Sequence, residues 1–559
     1  MAAMTDVENY FITFLLVVTS TFILQYILRR LTKHSTHLCL PPSPPALPLI
    51  GHLHYLSPAA YKCLHNLCSK YGPLLYLRLG SFPVLLVSSA SMANEIFKTH
   101  DLNFAYKPKS PFGDSILFGT SSFFHAPYGD YWRFMKKLCL TELLGARQLE
   151  RSRGVRREEL VRFLRKAFEK AKKKEVVDLS KEIMTLTNNI TYRMVMSASS
   201  SGQDNDVEKC VGLVRESFQL VAKLTLANLL GPLRKVCVFF FREQLLDVPR
   251  RFDELLERIM EEHEERARRD GGEIENKDLM DIVLEAYHDK DAEVKISRTQ
   301  MKSFFLVPYN FPLCLSIFNR NPVNNSVSKT FFFLVQDLFF GGSGTTAHSM
   351  QWLMAEMINH PEVFKKLREE IDSVVGRNRL VEDSDIPSLH YLQAVVKETL
   401  RLHPPAPIIT RLSREDCKFG GFDVPRGTLA VVNAHSVMRD PEVWDKPDEF
   451  YPERFLLAIP KEEADDKTGR KGQDLNFWSF GGGRRRCPGV NLAFSLINAT
   501  VAAMVQCFDW KLDGAEYMAR VNMEATPGVI MSLAHPLLCL PVVHCNPFDT
   551  PAKDNQATY

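Results

Sequence analysis

Between Phe480 and Gly489 the chain reads Phe-Gly-Gly-Gly-Arg-Arg-Arg-Cys-Pro-Gly, a single cysteine, Cys487, in a glycine- and proline-rich turn behind three arginines. Glycine has no Cβ, so such a turn can bend sharply and bring the backbone close to a flat ligand. The arginines and outward-pointing backbone N–H groups favour thiolate over thiol, and thiolate is the form that ligates metal. One thiolate without a second cysteine or histidine at zinc spacing is a poor zinc site. It suits the axial position of a haem iron, where a cysteine thiolate donates electron density that favours O–O cleavage. Taken alone, the stretch also reads as a glycine-rich surface turn with an incidental cysteine.

The spacing of Phe480, Gly483, Arg485, Cys487 and Gly489 resembles the haem-binding loop of the cytochrome P-450 monooxygenases. The resemblance implies that Cys487 binds the iron of haem b, Arg485 pairs with a haem propionate and Phe480 packs beside the sulfur. Gly483 and Gly489 then count among the cofactor-binding positions. Glu398-Thr-Leu-Arg401 puts two charges on one helix face, which in isolation is an exposed ion pair of little worth. Leu-His-Pro-Pro follows it, and Tyr451-Pro-Glu-Arg454-Phe comes about fifty residues later, in the family's order. The resemblance implies a buried Glu398–Arg401–Arg454 network holding the haem-side core. Upstream, Tyr131-Trp-Arg-Phe-Met-Lys-Lys137 resembles the family helix whose Trp and basic residues contact the propionates, which carries over Trp132, Arg133 and Lys136. The bases there and at Arg484 to Arg486 make a positive face that can steer an acidic electron donor, implied to be a membrane-bound NADPH-dependent flavoprotein reductase.

The family's distal helix carries small-Gly-x-acid-alcohol, in which the acid and the alcohol relay protons toward dioxygen. Here the segment is Gly341-Gly-Ser-Gly344-Thr345-Thr. Thr345 fits the alcohol, but Gly344 occupies the acid's place and cannot relay a proton, which breaks the usual route and leaves ordered water as a substitute. A phosphate-cradling loop is a poor alternative, because no lysine follows in register. Just upstream, Ile296 to Leu306 and the residues from Asp337 onward join into one helical pattern, interrupted by Val307 to Gln336 with Pro308, Pro312 and Pro322. Each proline would cost about 3 kcal/mol inside a helix. Two readings stand. Exposed insertions cost little entropy, which allows a surface loop. A translated intron accounts better for a Phe- and Leu-rich, structureless segment in a buried helix, and every Val codon begins with the donor dinucleotide GT, while Gln can be read from CAG.

These motifs sit in a chain of 559 residues whose formal charge of +3 points to no nucleic-acid partner. Its 12 cysteines form no CxxC pairs, as suits a reduced, cytosol-facing protein. Asn9 to Leu28 carries no charge, follows Asp6 and Glu8, and precedes Arg29, Arg30 and Lys33. That is about the length of a bilayer span, and the flanking charges put everything after it in the cytosol. A cleaved signal peptide is disfavoured, because the positive leader and the small-residue cleavage site are missing. The proline-rich run Pro41 to Gly51 follows as a stiff extended spacer; a ligand for another domain is the alternative reading. Beyond it the pattern predicts long helices over 155–174, 252–269, 346–375 and 388–403, with short strands near 74–88 and 408–433.

The expectation is therefore a mainly α fold with small β-sheets, the cytochrome P-450 fold, with one N-terminal transmembrane helix. Its parts are an anchor (1–35), a hinge (36–52), the haem domain (53–545) and a polar tail (546–559). By resemblance the substrate pocket draws on Lys107 to Phe124, Phe339 to Thr346, Pro407 to Arg411 and Thr526 to Ile530, apolar stretches suited to a lipophilic ligand. Phe239 to Phe241 reads as packed core or as a membrane-side entrance. The implied activity is hydroxylation of a flavonoid, triterpenoid or similar plant metabolite at the endoplasmic reticulum, using O2 and NADPH through the reductase. Two competing readings are an inert product of an intron-retaining message and a haem-thiolate isomerase or dehydratase.

Overall fold

The structure, a computed structural model, describes residues 38–107 except 48–49, 57–58 and 81, then 126–195, 242–269, 277–288, 341–456, 477–512, 520–526 and 530–548, with isolated residues at 20, 209, 212, 213 and 216. The expected anchor (Ser20 apart), the insertion 307–336, Phe239 to Phe241, most of the stretch 107–124 and the end of the tail lie outside the described residues.

Residues 38–47, which hold most of the proline-rich run, are extended and docked. Tyr76 N–H donates to the Pro42 carbonyl at 2.8 Å, and Cys39 exchanges hydrogen bonds with Asp423 at 2.7 and 2.8 Å. Helix α1 (Ala60–Tyr71) leads into the hairpin β1 (Leu74–Leu79) and β2 (Phe82–Val87). Next come α2 (Ala90–Asn94), α3 (Asp130–Leu138), α4 (Ala146–Arg151), α5 (Arg153–Lys173), β3 (Val177–Asp178) and α6 (Leu179–Val195). Leu160, Phe163, Leu164, Ala167 and Phe168 of α5 recur at helical spacing and are buried, while the basic residues between them face water.

Helices α7 (Arg242–Arg269) and α8 (Leu279–His288) precede the central α9 (Thr345–Asn359), α10 (Pro361–Val374) and α11 (His390–Leu402). The sequence predicts one helix over 346–375, and the structure breaks it at His360. Pro361 starts α10 and pushes the residue before it out of helical geometry, to φ −127° and ψ 74°. Then follow β4 (Ile408–Leu412), β5 (Cys417–Phe419), β6 (Phe422–Val424), β7 (Leu429–Asn433), the short α12 (Ala434–Val437), α13 (Val490–Cys507), β8 (Phe508–Leu512) and β9 (Leu538–Val543).

The strands form three sheets, ordered β1-β2-β7-β4, β3-β9-β8 and β5-β6. Strand β7 runs parallel to β2 and antiparallel to β4, and its Ala430, Val431 and Val432 are buried on both faces, as a central strand requires. The main core joins α3, α5, α6, α9, α10, α11 and α13. Among the described residues α13 is the one helix long and apolar enough to cross a membrane, but 67% of it is buried within the protein. It is a core helix, and its N-terminus carries the Cys487 turn.

Candidate active site

Two glycines of the turn are required by close approach. A Cβ at Gly482 would lie 2.4 Å from the Trp478 ring and 2.7 Å from Phe97. One at Gly483, where φ is +63°, would lie 2.1 Å from Asp101 Oδ1. The Asp101 carboxylate instead accepts from the Arg484 backbone N–H at 3.0 Å and pairs with its guanidinium, pinning the turn. Cys487 N–H donates to the Phe480 carbonyl at 2.9 Å, and the Phe480 ring packs 5.3 Å from Phe494 on α13. Burial pushes the Cys487 thiol up, while the Gly489 N–H directed at the sulfur, Lys136 and Arg486 act against it. The residue still reaches solvent on one side. An exposed cysteine at the start of α13, with a backbone N–H and two cations directed at its sulfur, is suited to ligate a metal.

The turn and the strands and helix beside it carry further cations, of which Arg411 is buried and Arg485, Lys136 and Lys107 are half-buried. Arg485 stands 4.8 Å over the Trp132 ring and donates to the Ala105 carbonyl at 2.7 Å and to that of Ala126. Lys136, one helical turn from Trp132, lies 5.9 Å from the same ring and donates to the Arg486 carbonyl. Arg411 donates to the Thr410 carbonyl at 2.9 Å and to that of Gly482 at 3.4 Å. Burial pushes Arg485 down to about 10 and Arg411 to about 9. Burial, Arg411 and Arg485 together hold Lys107 well below the ordinary lysine range. An anion among the three would relieve their mutual repulsion.

Arg133 is not brought to this cluster. It follows Trp132 by one position, about 100° round the helix. Its guanidinium is exposed, pairs with Asp130 and stands 6.0 Å from the Tyr128 ring. Conversely, Arg411 and Lys107 were read from the sequence only as parts of apolar pocket stretches. The signal for Arg411 was available, because in β4 it alternates inward with Ile409, and a charge on the buried face of a strand marks a site.

The structure brings Glu398, Arg401 and Arg454 together. Arg401 donates to Glu398 through Nε at 2.8 Å and Nη2 at 2.9 Å, and Arg454 Nε reaches the same carboxylate at 3.0 Å. Tyr451 N–H supplies a fourth bond at 2.9 Å. The carbonyls of Met438, Pro447 and Glu449 take the remaining Arg401 hydrogens, at 2.8, 2.7 and 3.2 Å. Glu398 and Arg401 are both fully buried.

Residues Gly341 to Gly344 form a widened helical turn ahead of α9. The Thr345 hydroxyl donates to the Gly341 carbonyl at 2.6 Å inside that turn. A Cβ added at Gly344 meets no heavy atom within 4 Å among the described residues, and its backbone is ordinary right-handed helix. The position next to the hydroxyl is open.

A cysteine-bearing turn at the head of a core helix, a buried carboxylate–diarginine network and a cluster of partly buried cations are the arrangement expected of a haem-thiolate enzyme. The comparisons agree. The family model described as Cytochrome P-450 matches residues 41–307 and 329–536. Cytochrome P-450 705A22 of Arabidopsis thaliana is 43% identical over 97% of this chain and 98% of its own length. The 3,9-dihydroxypterocarpan 6A-monooxygenase of Glycine max is 37% identical over 96% and 99%. A zebra fish cytochrome P-450 solved with abiraterone superposes with a TM-score of 0.65 at 22% identity, covering 87% of this chain and 99% of that one, a likeness of fold. The chain belongs to the cytochrome P-450 family and is a haem-thiolate monooxygenase of the plant type, which implies a reductase partner and a small-molecule substrate. The residues fit haem: Cys487 would hold the iron, and Arg485, Arg411 and Lys107, whose positive charges repel one another, would pair with the carboxylates of the group beside the Trp132 ring. When bound, haem supplies the redox chemistry that splits dioxygen.

Proposed function

We propose that this protein oxidises a C–H bond of a lipophilic plant metabolite of the flavonoid or triterpenoid class, from an endoplasmic-reticulum anchor at residues 9–28, with electrons from an NADPH-dependent flavoprotein reductase. The observation that carries the reading is the exposed Cys487 at the head of α13, flanked by the Gly489 N–H, Lys136 and Arg486. Cys487 holds the iron, and Arg485, Lys136 and Trp132 secure the propionate side, with Phe480 beside the sulfur. The exposed Arg133, Lys137, Arg484 and Arg486 make a positive face for the reductase. Thr345 orients the water that delivers protons, because Gly344 has no side chain to do so. A dihydroxypterocarpan, the substrate in the printed name of the Glycine max relative, supports the flavonoid side of the proposal.

A second reading is favoured by one observation, the interruption of the family match between 307 and 329. It falls inside Val307 to Gln336, as a translated intron would. In that reading the full chain is an inert relative of a shorter, active product. The reduced carbon-monoxide difference spectrum of the full chain in membranes, beside a version lacking 307–336, tests both. A thiolate-type Soret band from both chains, with NADPH-dependent turnover of a flavonoid or triterpenoid panel, supports the enzyme as written. A band from the shortened chain alone makes the spliced product the enzyme. A band from neither overturns the haem-thiolate assignment of this sequence.

A further inference from the structure

Three consecutive arginines, Arg484 to Arg486, precede Cys487, and their guanidinium groups are chemically equivalent. The structure nevertheless gives each a different place. Arg485 turns inward, donating to the Ala105 carbonyl at 2.7 Å and standing 4.8 Å over the Trp132 ring. Arg486 is exposed, and its carbonyl accepts from Lys136. Arg484 turns toward solvent, where its guanidinium pairs with Asp101 and its Nε donates to the Tyr128 hydroxyl at 3.1 Å. It stands 5.7 Å over the Tyr128 ring, which in turn lies 5.4 Å from the Trp132 ring. Two successive arginines thus occupy two adjacent rings, and the inward place lies within reach of both.

The segment that separates them is fixed without help from the Cys487 turn. Phe104 N–H donates to the His100 carbonyl at 3.0 Å and Ala105 N–H to the Leu102 carbonyl at 3.3 Å, so 100–105 folds as tight turns. The Tyr106 carbonyl accepts from Leu412 N–H of β4 at 2.9 Å, and Asn103 Oδ1 accepts from the N–H groups of Arg414 and Glu415 at 2.8 and 2.9 Å. From this platform come two acceptors four residues apart, the Asp101 carboxylate for Arg484 and the Ala105 carbonyl for Arg485. Asp101 takes both the backbone N–H and the guanidinium of residue 484, and its side chain is only 17% exposed. A surface ion pair of little worth would engage the side chain alone.

We propose that Asp101 is a register pin. By holding residue 484 through its backbone and its side chain together, it fixes which of the three arginines turns inward, and with that the place of Cys487 in the turn. Asp101 touches no reacting group and acts through Arg484, so it is a positioning residue. Its loss frees a second guanidinium beside the Tyr128 and Trp132 rings to compete with Arg485 for the inward place. The inference concerns the ligand turn and depends neither on the substrate nor on the anchor.

The test compares D101A, R484Q and D101A/R484Q with the parent, as holoprotein reduced chemically under carbon monoxide. It is made in the full chain, and in the version lacking 307–336 if the thiolate band appears there alone. D101A should exchange its Arg484 amide about 10- to 100-fold faster, lose part of the thiolate-type Soret band, and release haem to a scavenging apoglobin about three- to tenfold faster. R484Q should keep the parent band. The double variant should recover the band and the slow release while its residue-484 amide stays fast, because the competing guanidinium is gone. A merely structural carboxylate would give no such rescue, so fast release in the double variant overturns the pin. Parent-like exchange or an undiminished band in D101A overturns it as well. Should D101A not take up haem, D101N, which keeps an acceptor for the N–H and drops the charge, carries the same expectations for release and rescue. Absence of the band from both parent chains is a failure of the haem assignment, and exchange at the Arg484 amide then decides the pin by itself.

Discussion

Glu398→Ala removes the acceptor of four hydrogen bonds, two from Arg401, one from Arg454 and one from Tyr451 N–H. It also leaves Arg401, which is fully buried, without its counter-charge. Breaking a buried ion pair from one side costs about 3–5 kcal/mol. Two features hold the loss toward the lower end. Arg401 keeps the carbonyls of Met438, Pro447 and Glu449, and Arg454 keeps those of Lys446 and Glu449. The guanidiniums therefore lose charge neutralisation while most of their hydrogen bonds survive. The expectation is a loss of about 3 kcal/mol, a large part of the roughly 5–15 kcal/mol that holds a domain folded. Urea unfolding of the holoprotein, followed by the Soret band, should show a lower midpoint at an unchanged slope. E398Q, which keeps one acceptor oxygen but turns an amide toward a guanidinium, should lose about half as much. A midpoint for E398A within about 1 kcal/mol of the parent would mean that the carbonyl cage alone neutralises the two arginines, and the argument from counter-charge would fail.

Gly344→Asp should fold without penalty, because its Cβ enters open space on right-handed backbone. By placing an acid beside Thr345 it should raise the fraction of NADPH oxidation that yields product, since a positioned proton donor contributes up to about 10²-fold or more; unchanged coupling would show that water already serves the site. Arg411→Met should speed haem release while leaving the apoprotein as stable as before or more so, because burial already pushes that cation down to about 9; a destabilised apoprotein would speak against a propionate role. Glu356, held down to about 2 by its hydrogen bonds to His360 and His403 against burial, contributes stability that is complete above its ordinary 4.5 and fades as pH falls toward 2. Urea midpoints of parent and E356Q should accordingly differ by about 3 kcal/mol above pH 4.5 and converge near pH 2, and a pH-independent difference would refute the linkage.

How much was legible in the sequence follows from how local each signal is. The 155–174 helix appears as α5 and the 74–88 strands as β1 and β2, because hydrophobic period is a local property. The Glu398–Arg401 pair was readable from its i,i+3 spacing, and Arg454 joined it only through the family resemblance, since nothing local ties residues 56 apart. Pro361 marks the break between α9 and α10, but the apolar pattern runs on across the proline and masks it. Arg133 shares the motif of Trp132 but stands about 100° round the helix from it, paired with Asp130 in solvent. The Trp352–His403 stack and the Glu356 bond join residues about fifty apart in different helices and had no signal in the sequence at all.

The two halves of the distal helix are held by opposite means, and this bears on the insertion upstream of it. From Trp352 to Asn359 the helix is tied by side chains to His403, Met531 and Val521 and packed in the core. From Gly341 to Thr345 it is a widened glycine-rich turn, in which Thr345 bonds to the turn's own Gly341 carbonyl. Glycine lowers the cost of local rearrangement there and supplies no side-chain ties. The segment 307–336 precedes that less anchored end. The Cys487 turn depends instead on Asp101, Phe97, Trp478 and the start of α13, and the carboxylate network on α11 and the residues around 440–454. Nothing in either needs the first turn of α9. The haem side should therefore assemble whether or not the extra residues are present, and the spectral comparison becomes specific. A thiolate Soret band kept by the full chain, with turnover lost, would locate the damage on the distal side, where protons and substrate must arrive; loss of the band in the full chain alone would show that the insertion reaches the ligand turn and would refute this separation.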